Sequence, residues 1–332
     1  MKRSDFLKTL GSASLPLALP LAIKHAGKQN LNRPKKMMPG DVMGLVAPAG
    51  IIYDEAEFER MQRELAELGL RSVFGDHVRN RHGYLAGTDQ QRAADLNAMF
   101  EDPDIDGIMA VRGGWGCARI LPHLNFETIA DNPKVYCGFS DNTTLHHALM
   151  AYSNLQTFHG PNGNSDWTDL TKQSFESVVM KGELSTYQSD SMVSILMPGK
   201  ATGRLIGGNL SILTTTLGTP YQANFDDAIL FVEDIGEDTY KIDRMMSHLE
   251  QAGILDVISG FVFGKCTDCS AGSPPTFSLL EVLKHYLDRY QIPSIYNTDI
   301  GHEQDNFTIP MGGLAELDAD NGVITLLEPA VQ

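Results

Sequence analysis

The fold of the first half of the chain is decided by residues 134–153, which read KVYCGFSDNTTLHHALMAYS. Lys134 to Phe139 is an apolar run typical of a buried strand, and Asn142 to Ser153 has the pattern of a helix. Ser140 stands where the strand turns into the helix, which is the geometry of a nucleophile elbow. Such a turn exposes the serine hydroxyl next to the free amides of a helix N-terminus.

The same alternation of strand and helix extends toward the N-terminus. Val42 to Ala47 and Gly107 to Val111 are further apolar runs, while Glu55 to Leu70 has apolar residues at spacings of three and four. A second helical pattern covers Arg92 to Phe100. Strands that alternate with helices are typical of a parallel sheet, so we predict a doubly wound, mostly parallel α/β domain over residues 38–160.

The second half has a different pattern. Residues 161–200 are rich in Asn, Ser, Asp, Thr and Gly with weak periodicity, which predicts a linker. Residues 201–328 predict a smaller C-terminal domain of mixed α+β class. Its predicted elements are strands at 228–233 and 260–265 and helices at 242–252 and 279–290, preceded by a glycine-rich stretch at Gly203, Gly207 and Gly208 that receives no element.

Composition excludes several classes of partner. The 332 residues are 42% hydrophobic and carry 26 Lys plus Arg against 42 Asp plus Glu, a net charge of -16. This charge repels phosphate backbones and anionic lipid surfaces, so we expect no nucleic acid as partner. The body contains no apolar run long enough for a stable membrane span.

Residues 1–26 are similar to an export signal. Lys2 and Arg3 precede an apolar run from Leu10 to Ile23, and Arg3 to Lys8 resembles a twin-arginine signal with Ser4 in place of the second arginine. We therefore predict an exported, periplasmic protein, with a cytoplasmic protein carrying a flexible tail as the alternative.

The cysteines are too few and too scattered to staple a chain of this length. Cys266 and Cys269 form a C-x-x-C without a second pair or a histidine cluster beside it, so we expect no zinc site. This pattern favours free thiols, and a disulfide between the two is the alternative if the protein is exported.

Four segments could carry chemistry, and each also has a purely structural interpretation. Ser140 or Asp141 could simply cap the following helix. The loop Arg112 to Gly116 could donate amides to an oxyanion through Gly114 or its neighbour, or could be a tight turn without a ligand. It does not fit a dinucleotide fingerprint, because Arg119 stands where the last glycine belongs.

The other two segments are Glu233, which ends an apolar run and could belong to a solvated acidic loop, and His302, which could be a surface histidine. Any histidine within hydrogen-bond reach of the serine could serve as its base. His159 is the main rival, whereas His146 and His147 are interpreted as one packed and one exposed side chain of the helix after Ser140.

Six segments in order resemble the LD-carboxypeptidase family of serine peptidases, which includes muramoyl-tetrapeptide carboxypeptidases and microcin C immunity peptidases. The similarity covers about residues 38–320. The segments are Leu85 to Asp89, Arg112 to Gly116, Gly138 to Asp141, Gly207 to Leu210, Glu233-Asp234 and Gly301-His302.

The resemblance implies a catalytic triad of Ser140, Glu233 and His302, divided between the two domains. It also implies oxyanion donors at the amides of Gly114 and Asp141, no metal or other cofactor, and a homodimer. The implied activity is hydrolysis of the L,D amide bond before a terminal D-alanine in murein tetrapeptides. The alternatives are a serine amidase acting on other peptides or peptide antibiotics, and a non-catalytic peptide-binding protein.

Substrate contacts are less well defined by the sequence. Arg112 and Arg204 are candidates for the substrate carboxylate, because arginine can bind a carboxylate through two parallel hydrogen bonds. Trp115 and Asn209 are further candidates. The chain departs from the family pattern at Trp115, where tyrosine is common, and at Ala49, where serine is common, and both positions flank the predicted cleft.

Overall fold

The computed structural model of the chain describes residues 31–189 and 191–332. The predicted export segment, 1–26, lies outside the described residues. Within them, no helix has the length and apolar character needed to cross a bilayer.

Strands and helices alternate along most of the described chain. The strands are β1 (Val42–Val46), β2 (Arg71–Phe74), β3 (Gly107–Ala110), β4 (Val135–Gly138), β5 (Phe158–His159), β6 (Thr186–Gln188), β7 (Ser194–Met197), β8 (Lys200–Asn209), β9 (Ala228–Ile235), β10 (Gly260–Thr267), β11 (Ser294–Tyr296), β12 (Ile309–Pro310), β13 (Leu314–Asp318) and β14 (Val323–Leu326). The helices are α1 (Glu55–Glu67), α2 (Asp89–Glu101), α3 (Cys117–Ile120), α4 (Phe126–Asp131), α5 (Thr143–Ser153), α6 (Asp169–Phe175), α7 (Leu210–Thr216), α8 (Thr239–Gln251), α9 (Ile254–Val257) and α10 (Leu279–Tyr290).

The first sheet of the described residues has six strands in the order β12-β5-β4-β3-β1-β2. Strands β1 to β5 are parallel, and β12 is antiparallel to β5. Successive side chains of these strands enter different cores: Leu45 and Met109 pack with α1, whereas Val46 and Ile108 pack with α2 and α5. Helices therefore cover both faces, which confirms the doubly wound α/β prediction.

The second sheet has eight strands in the described chain, in the order β6-β14-β13-β8-β9-β10-β11-β7. Strands β8 to β11 are parallel to one another, and the remaining pairs are antiparallel. This confirms the mixed character of the second half, although its sheet has more strands than the first and is not the smaller one.

The segment 161–200 is more regular than the predicted linker. It contains α6, a π-helix at Glu176–Lys181, and the strands β6 and β7. These two strands form the opposite edges of the second sheet. Their side chains have little apolar periodicity because an edge strand is only partly covered.

The glycine-rich stretch is the long strand β8. A Cβ on Gly207 would lie 1.6 Å from the carbonyl oxygen of Phe231, and one on Gly208 would lie 2.4 Å from Oγ1 of Thr143. Glycine is needed because β8 passes close to the backbone of β9 and to α5. This close approach brings Asn209, the last residue of β8, opposite Glu233 of β9.

Cys266 and Cys269 are joined in a disulfide, which corrects the prediction of free thiols. The chain turns sharply after β10, with Asp268 at a φ of 52° and the amide of Cys269 donating to the carbonyl of Cys266 over 3.3 Å. This turn brings the two Cα atoms to 5.4 Å, within the normal range for a disulfide.

Candidate active site

The carboxyl ends of the strands of the first sheet define where a ligand can bind. The parallel order β2-β1-β3-β4-β5 reverses direction between β1 and β3, and ligands of such sheets bind outside the carboxyl ends at this switch point. The loops after β1 and β3 are joined there, because the amide of Gly50 donates to the carbonyl of Gly113 over 3.2 Å. Gly113 also lies against Ser140: a Cβ on it would lie 2.9 Å from the serine Oγ.

Ser140 occupies a strained turn directly after β4. Its φ is 65°, in the left-handed region that costs an L-residue about 1–2 kcal/mol. A short 3-10 turn over Ser140–Asn142 then leads into α5. The strand, the turn with positive φ and the helix together have the geometry of a nucleophile elbow.

Buried asparagines hold this turn in place. Nδ2 of Asn142 donates to the carbonyl of Phe139 over 2.9 Å, and its Oδ1 accepts from the hydroxyl of Tyr136 over 2.7 Å. Oδ1 of Asn162 accepts from the amide of Phe139 over 3.2 Å. Because these groups are removed from water, each bond is costly to break, and the network maintains the strained conformation of Ser140.

Asp141 connects the elbow to the glycine loop. Its carboxylate accepts from the amide of Cys117 over 2.8 Å, at the start of α3. Burial raises the pKa of Asp141, while the bonds to Cys117 and the charge of Arg92 oppose that rise. The loop before Cys117 needs glycine, since Gly114 has a φ of 117°. The two predicted oxyanion donors, the amides of Gly114 and Asp141, thus belong to segments that are bonded to each other.

The second sheet contributes a carboxylate and a histidine. Glu233, in β9, is fully buried, and its Oε2 lies 2.7 Å from Nδ1 of His302. A carboxylate only accepts, so Nδ1 carries the hydrogen and Nε2 of the neutral ring is left as a proton acceptor. Gly301 permits this contact: its φ is 135°, and a Cβ there would lie 3.0 Å from the same oxygen of Glu233.

The environment of His302 makes it more basic than an ordinary histidine. Burial alone would lower its pKa, but the charge of Glu233, the hydrogen bond to it and the charge of Asp234 raise the pKa above its usual value. The ring packs on Phe139 with 4.7 Å between centroids, next in sequence to Ser140. The structure therefore brings the Glu233–His302 pair to the elbow from the other sheet.

The remaining histidines near the elbow are buried. Burial lowers the pKa of His146 to about 3 and that of His147 to about 4. Their Nε2 atoms donate to the carbonyls of Gly138 and Gly207 over 2.8 and 2.9 Å. Both rings are therefore packed, which corrects the expectation that one of them is exposed.

His159, the rival base, is fully buried, and its pKa is held well below the ordinary value by burial and by the neighbouring histidines. Its ring packs against that of Phe231 with 5.3 Å between centroids. The side chain of His159 is therefore part of the core and packs behind the ring of Phe139, away from solvent.

Three of the four predicted substrate contacts lie at the carboxyl ends of parallel strands: Arg112 and Trp115 follow β3, and Asn209 ends β8. Nη1 of Arg112 donates to the carbonyl of Ile51 over 2.8 Å, while its buried Nε has no protein partner. Nδ2 of Asn209 donates to Asp234 over 3.2 Å and its Oδ1 caps α7, so this side chain organises the ends of β8 and β9. Trp115 is 64% exposed.

Arg204 lies elsewhere, which corrects its prediction as a substrate contact. It is paired with Ala228 at the start of β9, whereas Asn209 is paired with Glu233 near the end of that strand. Its Nη1 donates to the carbonyl of Gly312 over 2.6 Å and to Glu328 over 3.0 Å. Arg204 therefore joins β8 to the segments before β13 and after β14, away from Glu233.

Sequence reasoning missed the supporting residues of the site. Asn162 and Asn306 hold the elbow and the His302 loop, the latter by accepting from the amide of Gly301 over 3.1 Å. Burial and the charge of Glu233 raise the pKa of Asp234 to about 6. Among these supporting residues, only Asn142 could have been found from the sequence. It lies two residues after the serine, where the nucleophile-elbow motif usually has glycine.

Comparison with known proteins identifies the family. Residues 43–160 match the LD-carboxypeptidase N-terminal domain, and residues 202–317 match the LD-carboxypeptidase C-terminal domain. The chain belongs to the LD-carboxypeptidase family. A probable murein peptide carboxypeptidase of Bacillus subtilis is 37% identical over 292 residues, 86% of this chain and 91% of the relative.

Solved structures of the LD-carboxypeptidase fold extend this comparison. The microcin C7 self-immunity protein MccF of Escherichia coli, solved with glutamyl sulfamoyl guanosine, has a TM-score of 0.85 at 26% identity, covering 90% of this chain and 99% of that one. A muramoyltetrapeptide carboxypeptidase from Oxalobacter formigenes has a TM-score of 0.76 at 28% identity, covering 86% and 97%. Family membership makes the protein a peptidase and confirms the resemblance carried by its motifs.

Proposed function

We propose that this protein is a serine carboxypeptidase that hydrolyses the L,D amide bond before the terminal D-alanine of murein tetrapeptides. The observation that carries the proposal is the buried Glu233–His302 pair, which packs on Phe139 next to the strained Ser140. Nucleophile, base and orienting carboxylate are the groups that acyl transfer through a serine requires.

In the proposed mechanism Oγ of Ser140 attacks the amide carbon while Nε2 of His302 takes the hydroxyl proton. Glu233 stabilises the resulting imidazolium, and the amides of Gly114 and Asp141 donate to the oxyanion. The tetrahedral intermediate collapses as His302 returns the proton to the leaving nitrogen, which releases D-alanine. A water molecule, deprotonated by His302, then hydrolyses the acyl-enzyme.

The substrate assignment rests on the relatives and on charge. The probable murein peptide carboxypeptidase of Bacillus subtilis aligns with 86% of the chain, and the half-buried Arg112 lies at the switch point, in the loop after β3 that contacts Ser140. A guanidinium there can bind the terminal carboxylate that distinguishes a carboxypeptidase substrate. We assign this role to Arg112.

A second candidate substrate is the amide of a peptide antibiotic. The observation that favours it is the higher structural similarity to MccF, with a TM-score of 0.85 against 0.76 for the muramoyltetrapeptide carboxypeptidase. A non-catalytic peptide-binding protein is disfavoured, because such a protein does not need Ser140, Glu233 and His302 together.

Release of D-alanine from a murein tetrapeptide tests the proposal. The purified protein is compared with Ser140→Ala, each with and without a chelator. We expect release that survives chelation and is absent from Ser140→Ala. A folded wild-type protein that releases no D-alanine would redirect the search to other peptide amides, and loss of activity on chelation would contradict the serine mechanism.

Export to the periplasm and homodimerisation complete the proposal. The disulfide between Cys266 and Cys269 supports an oxidising compartment, since such bonds rarely persist in the cytosol. Cell fractionation with thiol labelling tests the location, and light scattering tests the dimer. Two labelled thiols at these positions in a cytosolic fraction would contradict export.

A further inference from the structure

Strand β10 contains a β-bulge directly opposite Glu233. The pairing of β9 with β10 shifts register at this point, so that two residues, Gly264 and Lys265, stand opposite the single residue Glu233. An extra residue of this kind bends its strand and re-aims a side chain, and bulges are common beside active sites. We therefore asked what Gly264 and Lys265 hold.

The bulge contacts the segment that carries His302. After β11 the chain continues through residues 297–308, which we call the His302 loop. The amide of Lys265 donates to the carbonyl of Ile300 over 2.8 Å. A Cβ on Gly264 would lie 2.3 Å from the same carbonyl oxygen, so glycine is needed for the loop to approach this closely. The bulge thus fixes the backbone two residues before His302.

The side chain of Lys265 reaches the same loop. Its Nζ lies 2.8 Å from Oγ of Ser191, 3.1 Å from Oδ1 of Asn297 and 3.1 Å from Oδ1 of Asp299. An ammonium group has three hydrogens, and these three oxygens can accept all of them. Asn297 and Asp299 belong to the His302 loop. The side chains of Lys265 and Asp299 are only 11% and 4% exposed, so water and salt screen this ion pair little.

A buried ion pair restricts geometry more than it stabilises a fold. Its net contribution to stability is small, because desolvation of the two charges offsets their attraction. A buried charge that leaves its partner is nevertheless strongly destabilised. The pair between Lys265 and Asp299 therefore opposes movement of the His302 loop along β10. Because the bulge stands opposite Glu233, the same restriction sets where the loop lies relative to that carboxylate.

We propose that Lys265 and Asp299 are positioning residues that hold His302 against Glu233; this inference rests on the proposed function, because His302 is the base of that reaction. The bond from Nδ1 of His302 to Oε2 of Glu233 is 2.7 Å long. A shift of the loop on the order of 1 Å would lengthen it beyond hydrogen-bond range. Lys265 and Asp299 act on the proposed chemistry only through this bond.

The kinetic test separates kcat from KM. Lys265→Met keeps the apolar stem and removes the charge, and a misplaced base should lower kcat for D-alanine release about 100-fold with little change in KM. Lys200→Met is the matched control, because Lys200 pairs with Asp318 over 2.7 Å at the far end of β8 and should keep wild-type kcat. The double variant Lys265→Met/Asp299→Asn leaves no buried charge unpaired, so it should fold and still show the low kcat. Wild-type kcat in either Lys265 variant would overturn the proposal.

Titration of the His302 ring provides a readout that needs no substrate. The pKa of His302 is raised by the charge of Glu233, the hydrogen bond to it and the charge of Asp234. If the loop moves away from Glu233, this pKa should fall in Lys265→Met and in the double variant. Loss of the positive charge of Lys265 by itself would instead raise the pKa, and a purely structural role would leave it unchanged.

NMR of protein with 15N-labelled histidine measures this pKa, with the signal assigned by its absence from His302→Ala. A lower pKa in both Lys265 variants supports the positioning role even if the wild type releases no D-alanine, in which case the proposed reaction alone has failed. A pKa that rises or stays at the wild-type value overturns the positioning role, even if D-alanine is released.

Discussion

The two halves of the site are built in different ways. The N-terminal half comes from one continuous segment, in which β4 turns through the strained Ser140 into α5 and nearby asparagines hold the turn. The C-terminal half joins Glu233 to His302 across 69 residues, with no local sequence pattern that relates them. The first half therefore controls the geometry of Ser140, the proposed nucleophile, and the second half controls the basicity of His302, its proposed base.

The largest expected effect comes from removing the proposed nucleophile from the first half or the proposed base from the second. Ser140→Ala and His302→Ala should each lower kcat by about 10⁵-fold, and the double variant should be no worse than either, because nucleophile and base act as one unit. Steady-state D-alanine release measures this. His123→Ala, an exposed histidine, is the control and should keep wild-type activity. Additive losses in the double variant would show that the two halves do not act together.

Glu233→Gln tests whether Glu233 sets the basicity of His302 in the second half. We expect kcat/KM to fall by about 10³–10⁴-fold, as when a triad carboxylate is replaced by its amide. His302 must be neutral to accept the serine proton, and its pKa lies above the ordinary 6.5 in the native protein. The rate should therefore rise with pH through a midpoint above 6.5, and that midpoint should move to lower pH in Glu233→Gln. A pH–rate profile whose midpoint stays in place would contradict the assignment.

Asn142→Leu tests the rigidity of the first half. The substitution leaves the hydroxyl of Tyr136 and the carbonyl of Phe139 without their buried partner, which should cost about 3 kcal/mol in the free energy of unfolding. Tyr136→Phe removes only one of these bonds and should cost about 1 kcal/mol. Urea unfolding compares the two variants. Equal, small losses would show that the asparagine does not hold the elbow.

Arg112→Gln asks whether the first half also binds the substrate carboxylate. We expect KM to rise about 30-fold for the tetrapeptide, equivalent to about 2 kcal/mol for a lost charged hydrogen bond, with little change in kcat. A tetrapeptide with an amidated C-terminus is the control, because it lacks the charge and should bind wild type and variant equally weakly. An unchanged KM for the acid would exclude this role.

The difference between the halves also explains what the sequence could predict. Strand, turn and helix around Ser140 are local, so periodicity alone located them. The partnership of Glu233 with His302 came from family resemblance, since nothing in either segment reports a distance between β9 and the loop after β11. The contact depends on Gly301, whose missing Cβ leaves room for the carboxylate, and that requirement is visible only in three dimensions.

Other differences have equally specific causes. Strand β8 was hidden by Gly207 and Gly208, which remove the alternating side chains that mark a strand because β9 and α5 approach so closely. Arg204 was chosen for its chemistry, but its place in the middle of β8, opposite the start of β9, puts it five residues from Asn209, which lies opposite Glu233. Cys266 and Cys269 could not be paired without knowing that the chain reverses at Asp268.

The smallest expected effect isolates the strain at Ser140. Ser140→Gly and Ser140→Ala both remove the hydroxyl, so both should be inactive. Glycine adopts the φ of 65° without the steric cost that alanine retains, although it also leaves the unfolded chain more freedom. The steric term is about 1–2 kcal/mol and the entropic term about 0.4–1 kcal/mol, so Ser140→Gly should be the more stable by about 1 kcal/mol in urea unfolding. Equal stability would mean that the turn relaxes once the hydroxyl is gone, and that the strain belongs to the nucleophile itself rather than to the asparagine network around it.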